Sequence, residues 1–215
     1  MKKFLKAFTV AELLLVMSII GVIAAFAIPM LRTNLSDEEA VARVRKINTG
    51  LQNAYLGMTE LYGEPAGWYT DETSADDAGT KFINNILQFL NYSSYSGSTI
   101  YLKDGAELKF SIYSGSTIRA NARNYTSTYY PQSIGYVTVD VDGSKKGYNL
   151  GGRDIFNFMI CKNGIVPSGY DDYGNLSSVS ANGNSTAWVV RIGNLDYLQC
   201  NDLYANSTGS KLTCD

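Results

Sequence analysis

The sequence predicts an α+β fold in which a long N-terminal hydrophobic stem helix carries an antiparallel β-sheet head. Residues 13–31 contain no charged side chain and would form about 28 Å of helix. Between residues 41 and 61, apolar residues return every three or four positions, as in an amphipathic helix. After residue 98 the apolar period becomes two, as in β-strands. A helix followed by consecutive strands is typical of an α+β domain with an antiparallel sheet.

The amphipathic half of the stem has its own start and stop signals. Ser36 and Glu39 fit a capping box, in which side chains satisfy the free N–H groups of the first helical turn. Residues 34–36 are therefore either a break or a restart of the helix. Gly63 and Pro65 end it, because proline cannot continue the hydrogen-bond ladder.

The head is predicted over residues 64–215, with a loop first and a short helix over residues 80–91. Apolar and polar residues alternate in five later segments that are separated by glycine-containing turns, which is the pattern of half-buried strands. These predicted strands are residues 99–102, 107–113, 136–141, 155–160 and 187–192. One face of this sheet should pack on the amphipathic half of the stem.

The apolar segment itself admits several interpretations. Its length is close to the hydrocarbon thickness of a bilayer and long for a secretory signal. Three lysines before it favour a cytoplasmic N-terminus and an extracytoplasmic head: Lys2, Lys3 and Lys6. An uncleaved signal anchor gives no reason for Glu12. A cleaved secretory signal finds an A-x-A site at residues 25–27, but Pro29 would stand just past the cut. A buried core helix does not explain the lysines.

The junction Lys6-Ala-Phe-Thr-Val-Ala-Glu12-Leu-Leu14 resembles that of type IV prepilins and type II secretion pseudopilins. In that family a prepilin peptidase cuts before the hydrophobic segment, and the new N-terminal Phe is methylated. The resemblance implies a cut between Ala7 and Phe8 and N-methylation of Phe8. Counted from Phe8, three residues match the family's spacing of assembly residues: Glu12, Gly21 and Pro29. Ala7 stands where the family usually has glycine, another small residue.

The resemblance implies a domain order, a function and a location. Residues 1–7 would be the leader, 8–31 the transmembrane and assembly half of the stem, and 32–63 its amphipathic half. The chain would be a structural subunit that polymerises with copies of itself or other pilin-like subunits, with the platform and ATPase of the assembly machine as further partners. It would start as a single-pass bacterial inner-membrane protein and end in a cell-surface or periplasmic filament. Glu12 would pair with the N-terminal ammonium of a neighbouring subunit. The alternative is a membrane-anchored extracytoplasmic binding protein that does not polymerise.

Composition argues against other classes of function. The chain has no histidine, which removes His-based triads, bases and metal ligands. Neither a G-x-S-x-G elbow nor a zinc spacing occurs, so we expect no enzyme. The net charge is −2, and it would be −5 without the three leader lysines, so no basic nucleic-acid footprint is evident.

The three cysteines, Cys161, Cys200 and Cys214, all lie in the predicted head. A bond between Cys200 and Cys214 would resemble the disulfide-bounded C-terminal region of many pilins, and a ring of that size is worth roughly 3 kcal/mol. Cys161 sits in an apolar run and fits a buried small residue. A bond from Cys161 to Cys200 stays open as the alternative.

An acidic stretch between two predicted strands has two interpretations. Asp140, Asp142 and Asp154 could gather oxygen ligands for calcium, although the EF-hand spacing is not met. The dipeptide Asp142-Gly143 is also a strong turn signal in its own right. The turn is favoured, and calcium is the only cofactor that the sequence suggests.

Overall fold

The computed structural model describes residues 10–32, 36–63, 69, 72–118, 132–162, 164–171, 174–176 and 185–214. The chain divides into two compact units, Met1–Asn34 and Leu35–Asp215. The first contains helix α1 (Val10–Arg32). The second, called the head unit below, contains every other element described here.

Helix α2 (Asp37–Tyr62) opens the head unit. Ser36 is its N-cap: the backbone there is extended, and the Ser36 hydroxyl accepts a hydrogen bond from Glu39 N at 3.2 Å. The helix ends where Gly63 adopts a positive φ of 79° and donates its N–H to Thr59 O. One stripe of α2 is buried, at the three-to-four residue spacing that the sequence predicted: Ala40, Val41, Val44, Ile47, Leu51, Ala54, Tyr55 and Met58.

The described residues of the head unit form a six-stranded antiparallel sheet whose spatial order follows the chain, β1 to β6. The strands are β1 (Tyr92–Ser96), β2 (Thr99–Leu102), β3 (Glu107–Ile112), β4 (Gly135–Asp140), β5 (Ile155–Cys161) and β6 (Gly164–Pro167). A two-stranded hairpin of β7 (Tyr204–Asn206) and β8 (Gly209–Lys211) lies near the C-terminus.

Helices cover the sheet. Helix α3 (Ala75–Ile86), continued by a 3₁₀ turn (Leu87–Phe89), packs on β3, while α2 packs on β6 and on the short helix α4 (Thr186–Arg191). The core between these layers includes the fully buried Trp188, Phe82, Phe156 and Phe158. Long-range hydrogen bonds tie α2 to this core, from Arg43 Nη1 to Val141 O at 2.9 Å and from the Tyr55 hydroxyl to Lys162 O.

The predicted fold class was wrong in its long stem helix. In place of one helix over residues 8–63, the chain forms α1 and α2, which belong to different compact units. The physical reason lies at Ser36, whose extended backbone and side-chain cap start a new helix. The antiparallel sheet, the amphipathic character of residues 37–62, the cap at Ser36 and the helix end at Gly63 agree with the prediction.

The predicted localisation was also wrong. Among the helices that the structure describes, none is both long and apolar enough to cross a membrane. The inner-membrane, single-pass arrangement is therefore not supported.

Several smaller elements differ from the sequence prediction. Residues 187–192, predicted as a strand, lie in or beside α4, where Ile192 N donates to Trp188 O four positions earlier. The predicted helix over 80–91 begins earlier, at Ala75, where the Ser74 side chain caps it. Strands β1, β6, β7 and β8 were not predicted.

Candidate functional site

Helix α1 offers an apolar surface. Every described side chain from Val10 to Ile23 is exposed. The large apolar ones range from 47 % exposed at Val16 to 77 % at Val10. The hydroxyl of Ser18 donates to Leu14 O at 2.8 Å, so this polar group is satisfied within the helix. A helix this apolar on every described side differs from an ordinary surface helix, which has one polar face.

Of the three predicted assembly residues, the structure describes Glu12 and Gly21 fully and Pro29 only by its place in α1. Glu12 is exposed in the first turn of α1, where a helix dipole favours an acid. Gly21 is exposed too, and a Cβ added there would meet nothing within 4 Å. Pro29 lies inside the bounds of α1, but its side chain is outside the described part. Ala7 and Phe8, the predicted processing residues, lie outside the described residues.

The three predicted acids do share one loop, between β4 and β5. Asp140 ends β4, Asp154 immediately precedes β5, and all three side chains are buried, with Asp140 9 %, Asp142 7 % and Asp154 3 % exposed. Buried carboxylates need partners, because an unpaired charge away from water is costly. The contacts of each acid therefore decide what the loop can do.

Asp154 is engaged with the backbone of the loop. Its Oδ2 accepts hydrogen bonds from Tyr148 N and Asn149 N, both at 2.7 Å, and its Oδ1 accepts one from Leu150 N at 2.6 Å. Three N–H groups on one carboxylate hold the loop in a single conformation and leave few acceptor positions for anything else.

Asp140 and Asp142 form a close pair. Asp140 Oδ1 accepts from Gly143 N at 2.9 Å, which fixes the turn after β4. Burial, and next a hydrogen bond between the protonated Asp140 carboxyl and the Asp142 side chain, raise the pKa of Asp140 to about 6. Asp142 Oδ1 is buried and has no hydrogen-bond partner among the described residues. Asp140 therefore keeps its proton to a higher pH than a carboxyl in water does.

Gly147 makes the loop possible. Its φ is 67°, and a Cβ there would lie 2.4 Å from Asp142 Oδ2 and 2.8 Å from Asp154 Oδ2. Any other residue would collide with both carboxylates and would adopt the left-handed conformation at a cost. Beside it, Arg153 lies over the Tyr148 ring at 4.2 Å and 3.7 Å from Asp37 Oδ1, which connects the loop to the start of α2.

The described residues contain no group of three or more His, Cys, Asp or Glu side chains arranged to hold a metal ion. The structure thus brings the three predicted calcium ligands into one loop but engages Asp140 and Asp154 with backbone N–H groups. These contacts are those of a turn. Calcium binding at Asp140, Asp142 and Asp154 stays a prediction.

The cysteines are paired as the pilin resemblance favoured. A disulfide joins Cys200 to Cys214, with Cα atoms 5.9 Å apart. It closes the segment that holds the β7–β8 hairpin, and Leu176 bridges to Ala205 of that hairpin. Cys161 is fully buried, and burial raises the pKa of its thiol to about 12. Such a thiol is almost entirely protonated at neutral pH and is therefore unreactive.

One surface feature escaped the sequence analysis: a groove of about 240 Å³ between α2 and the β2 side of the sheet, called the α2–β2 groove below. Its floor consists of buried Ile47, Leu51 and Leu108, and its sides include half-buried Phe89 and Leu102. The signal available in the sequence was a glycine in the middle of a predicted helix, Gly50, which lines this groove.

The rim of the groove is polar. Lys46 Nζ and Asp104 Oδ2 form an ion pair at 2.7 Å, and the exposed amides of Asn53 and Asn91 lie along the remaining edge. A neutral rim around an apolar floor suits an uncharged apolar group.

No family model matches this chain, and neither a curated protein nor a solved structure matches it.

Proposed function

We propose that this chain is a structural subunit that a prepilin peptidase trims between Ala7 and Phe8 and that then polymerises with copies of itself or related subunits, as in a type IV pilus or a type II secretion pseudopilus. The observation that carries the proposal is the exposed apolar surface of α1. Support also comes from the match of residues 6–14 to a prepilin junction.

The apolar side chains of α1 favour association. Covering an exposed aliphatic side chain contributes about 1.5–3 kcal/mol, and α1 exposes ten large apolar side chains in a row of fourteen described residues. Contiguous apolar surface of this kind marks an interaction site in folded proteins. The same helix on every copy supplies the same surface, so a second copy is a suitable partner.

A filament, and not a closed dimer, follows when α1 packs on a different surface of the next copy. A helix of one copy that packs against a different surface of the next makes a head-to-tail contact, and such contacts continue into open helical assemblies unless the rotation closes a ring. The platform and ATPase of the assembly machine would supply ordered addition of subunits.

Glu12 would set the register of the assembly. A carboxylate covered by apolar neighbours is costly unless a cation pairs with it. The amino group created by cleavage before Phe8 is a suitable cation on the adjoining copy. One packing of α1 against its neighbour would then be preferred over shifted ones.

The test is to express the full chain with a prepilin peptidase and an assembly ATPase and to measure two things, the mass of the mature N-terminus and the pelletable filament fraction. The proposal expects a chain that begins at Phe8 and filaments visible by negative-stain electron microscopy. A chain that keeps residues 1–7 and stays monomeric would overturn it and would favour a binding protein that does not polymerise.

The Glu12→Val variant separates processing from assembly. We expect it to be trimmed like the wild type but to give a filament fraction at least about tenfold lower. Glu60→Val, at an exposed position of α2, is the matched control and should assemble normally. Normal assembly of Glu12→Val would remove Glu12 from the assembly contact.

A further inference from the structure

We propose that the α2–β2 groove receives an apolar side chain of α1 from a second copy, and that Gly50 is an assembly residue that keeps this groove open. The inference rests on the proposed function and adds the surface on which α1 docks.

The two glycines in the second half of α2 show why Gly50 is unusual. A Cβ at Gly57 would lie 2.5 Å from Phe89 Cε1, so packing inside the head unit requires a glycine there. A Cβ at Gly50 would meet nothing within 4 Å. Glycine in the interior of a helix is less favourable than alanine, and nothing described in the head unit compensates for that loss at Gly50. An occupant that approaches the α2 backbone from outside would explain it.

The size and lining of the groove fit a side chain. An apolar cavity of about 150 Å³ is enough for a benzene-sized group. The α2–β2 groove has about 240 Å³ and an apolar floor at Ile47, Leu51 and Leu108, so one or two aliphatic side chains would fill it. Water in such a groove has few hydrogen-bond partners and is readily displaced.

The charges of the two surfaces also agree. The Lys46–Asp104 ion pair neutralises the rim, and residues 13–31 of α1 carry no charge. Docking α1 therefore buries no unpaired charge, whereas an acidic or basic peptide would find no free counter-charge within the groove lining. Among the described residues, α1 is the longest continuous run of exposed apolar side chains. These facts point to α1 as the occupant.

The first experiment compares Gly50→Leu with Gly50→Ala in the full chain. Both side chains start in open space, so both variants should unfold at or above the wild-type urea midpoint. Alanine adds one methyl group and should leave assembly unchanged. Leucine fills the groove and should raise the protein concentration needed for assembly at least about tenfold. Assembly of Gly50→Leu at the wild-type concentration would overturn the proposal.

The second experiment tests docking even if no filaments form. Full-length Asn53→Cys is mixed with differently tagged full-length chains that carry cysteine at Leu15, Ile19 or Ile23, and the mixture is oxidised. A disulfide-linked pair of the two tags supports the proposal, and Lys109→Cys, on the exposed side of β3, is the matched control that should not cross-link. If none of the three positions cross-links, or if a doubly substituted chain cross-links only within itself, a second copy is not the occupant.

A failure of the proposed function and a failure of the docking inference give different results. If the cysteine variants cross-link but the wild-type chain forms no filament, the proposed function is contradicted and the docking surface stays in place. If the wild-type chain forms filaments but the Asn53→Cys variant does not cross-link to any of the three α1 positions, the proposed function is kept and this inference is overturned.

Discussion

Helices α1 and α2 follow one another in the chain and have similar lengths, 23 and 26 residues, yet they use apolar side chains in opposite ways. The described side chains of α1 are exposed on all sides, whereas α2 buries one stripe against β6, α3 and α4. An apolar stripe can be buried within its own chain, because the opposite, polar face of the helix remains in water. A helix that is apolar all round needs partners on several sides. The contrast places the apolar stripe of α2 in the core of the head unit and leaves the described apolar side chains of α1 exposed.

The largest expected effect is the difference in stability between two leucine-to-alanine variants, one in α2 and one in α1. Leu51→Ala removes a side chain that is 1 % exposed and should lower the free energy of unfolding by about 2 to 5 kcal/mol, because it leaves a cavity in the core. Leu15→Ala, at a side chain 63 % exposed, should change it by less than about 0.5 kcal/mol. Urea unfolding followed by the fluorescence of buried Trp188 measures both, in a Trp68→Phe background that removes the chain's other tryptophan. Equal losses in the two variants would break the comparison.

The second-largest expected effect is that of removing the disulfide, which tests whether the C-terminal segment unfolds together with α2. Replacing Cys200 and Cys214 together by alanine should lower the free energy of unfolding by about 3 kcal/mol, since the open chain gains conformational freedom in the unfolded state. The Trp188 transition should remain single and shift as a whole. A separate early transition would show that the β7–β8 segment unfolds independently of α2.

A third effect concerns the acidic loop that contacts the start of α2. Because the pKa of Asp140 is raised to about 6, the folded state keeps a proton that the unfolded chain releases near 3.8. The contribution of Asp140 to stability should therefore be fully present below its unfolded-state pKa of 3.8 and be lost as pH rises through about 6. In Asp142→Asn the neighbouring carboxyl is gone, and the fall should shrink by on the order of 1 kcal/mol.

Urea midpoints at pH 4, 5, 6 and 7 measure this fall. The exposed Asp76→Asn variant is the control and should keep the wild-type pH dependence. An identical pH profile in Asp142→Asn would show that Asp142 does not raise the pKa of Asp140.

The smallest expected effect is none. Thermal melts of the full chain with excess calcium and with a chelator should coincide, because Asp140 and Asp154 are engaged with backbone N–H groups. An upward shift with calcium that disappears in Asp142→Asn would show that Asp142 Oδ1 has an ion as its partner. The loop would then be a ligand site in addition to a turn.

The sequence was sufficient for features that depend on local patterns. Ser36 was recognisable as a helix cap, the stripe of α2 followed from its spacing, and strands β2 to β5 followed from alternation and glycine turns. The strand predicted over residues 187–192 failed because Trp188, Val189 and Val190 favour strands intrinsically, whereas packing on α2 selects a helix. Strand β1 was missed because Tyr-Ser-Ser-Tyr-Ser has no apolar alternation at the edge of a sheet.

The candidate sites were predictable to a different degree. The acids of the β4–β5 loop could be identified from sequence, but the raised pKa of Asp140 depends on burial, which no spacing reveals. The groove beside Gly50 depends on the distance between α2 and β2, two elements separated by about forty residues of chain. The long stem helix was predicted wrongly, although residues 34–36 had been recognised as a break or a restart, because two helical patterns in a row resemble one.

The tertiary contacts of α2 have a consequence for protein synthesis. Its hydrogen-bond partners come late in the chain: the Tyr55 hydroxyl binds the carbonyl of Lys162, 107 positions later, and Arg45 Nε binds that of Val190, 145 positions later. At roughly 5–20 residues per second, the ribosome needs on the order of 5–30 s to supply them. During that interval the apolar stripe of α2 has neither β6 nor α4 to cover it. The stripe of α2 that is buried in the folded head unit is thus exposed while the chain is being made.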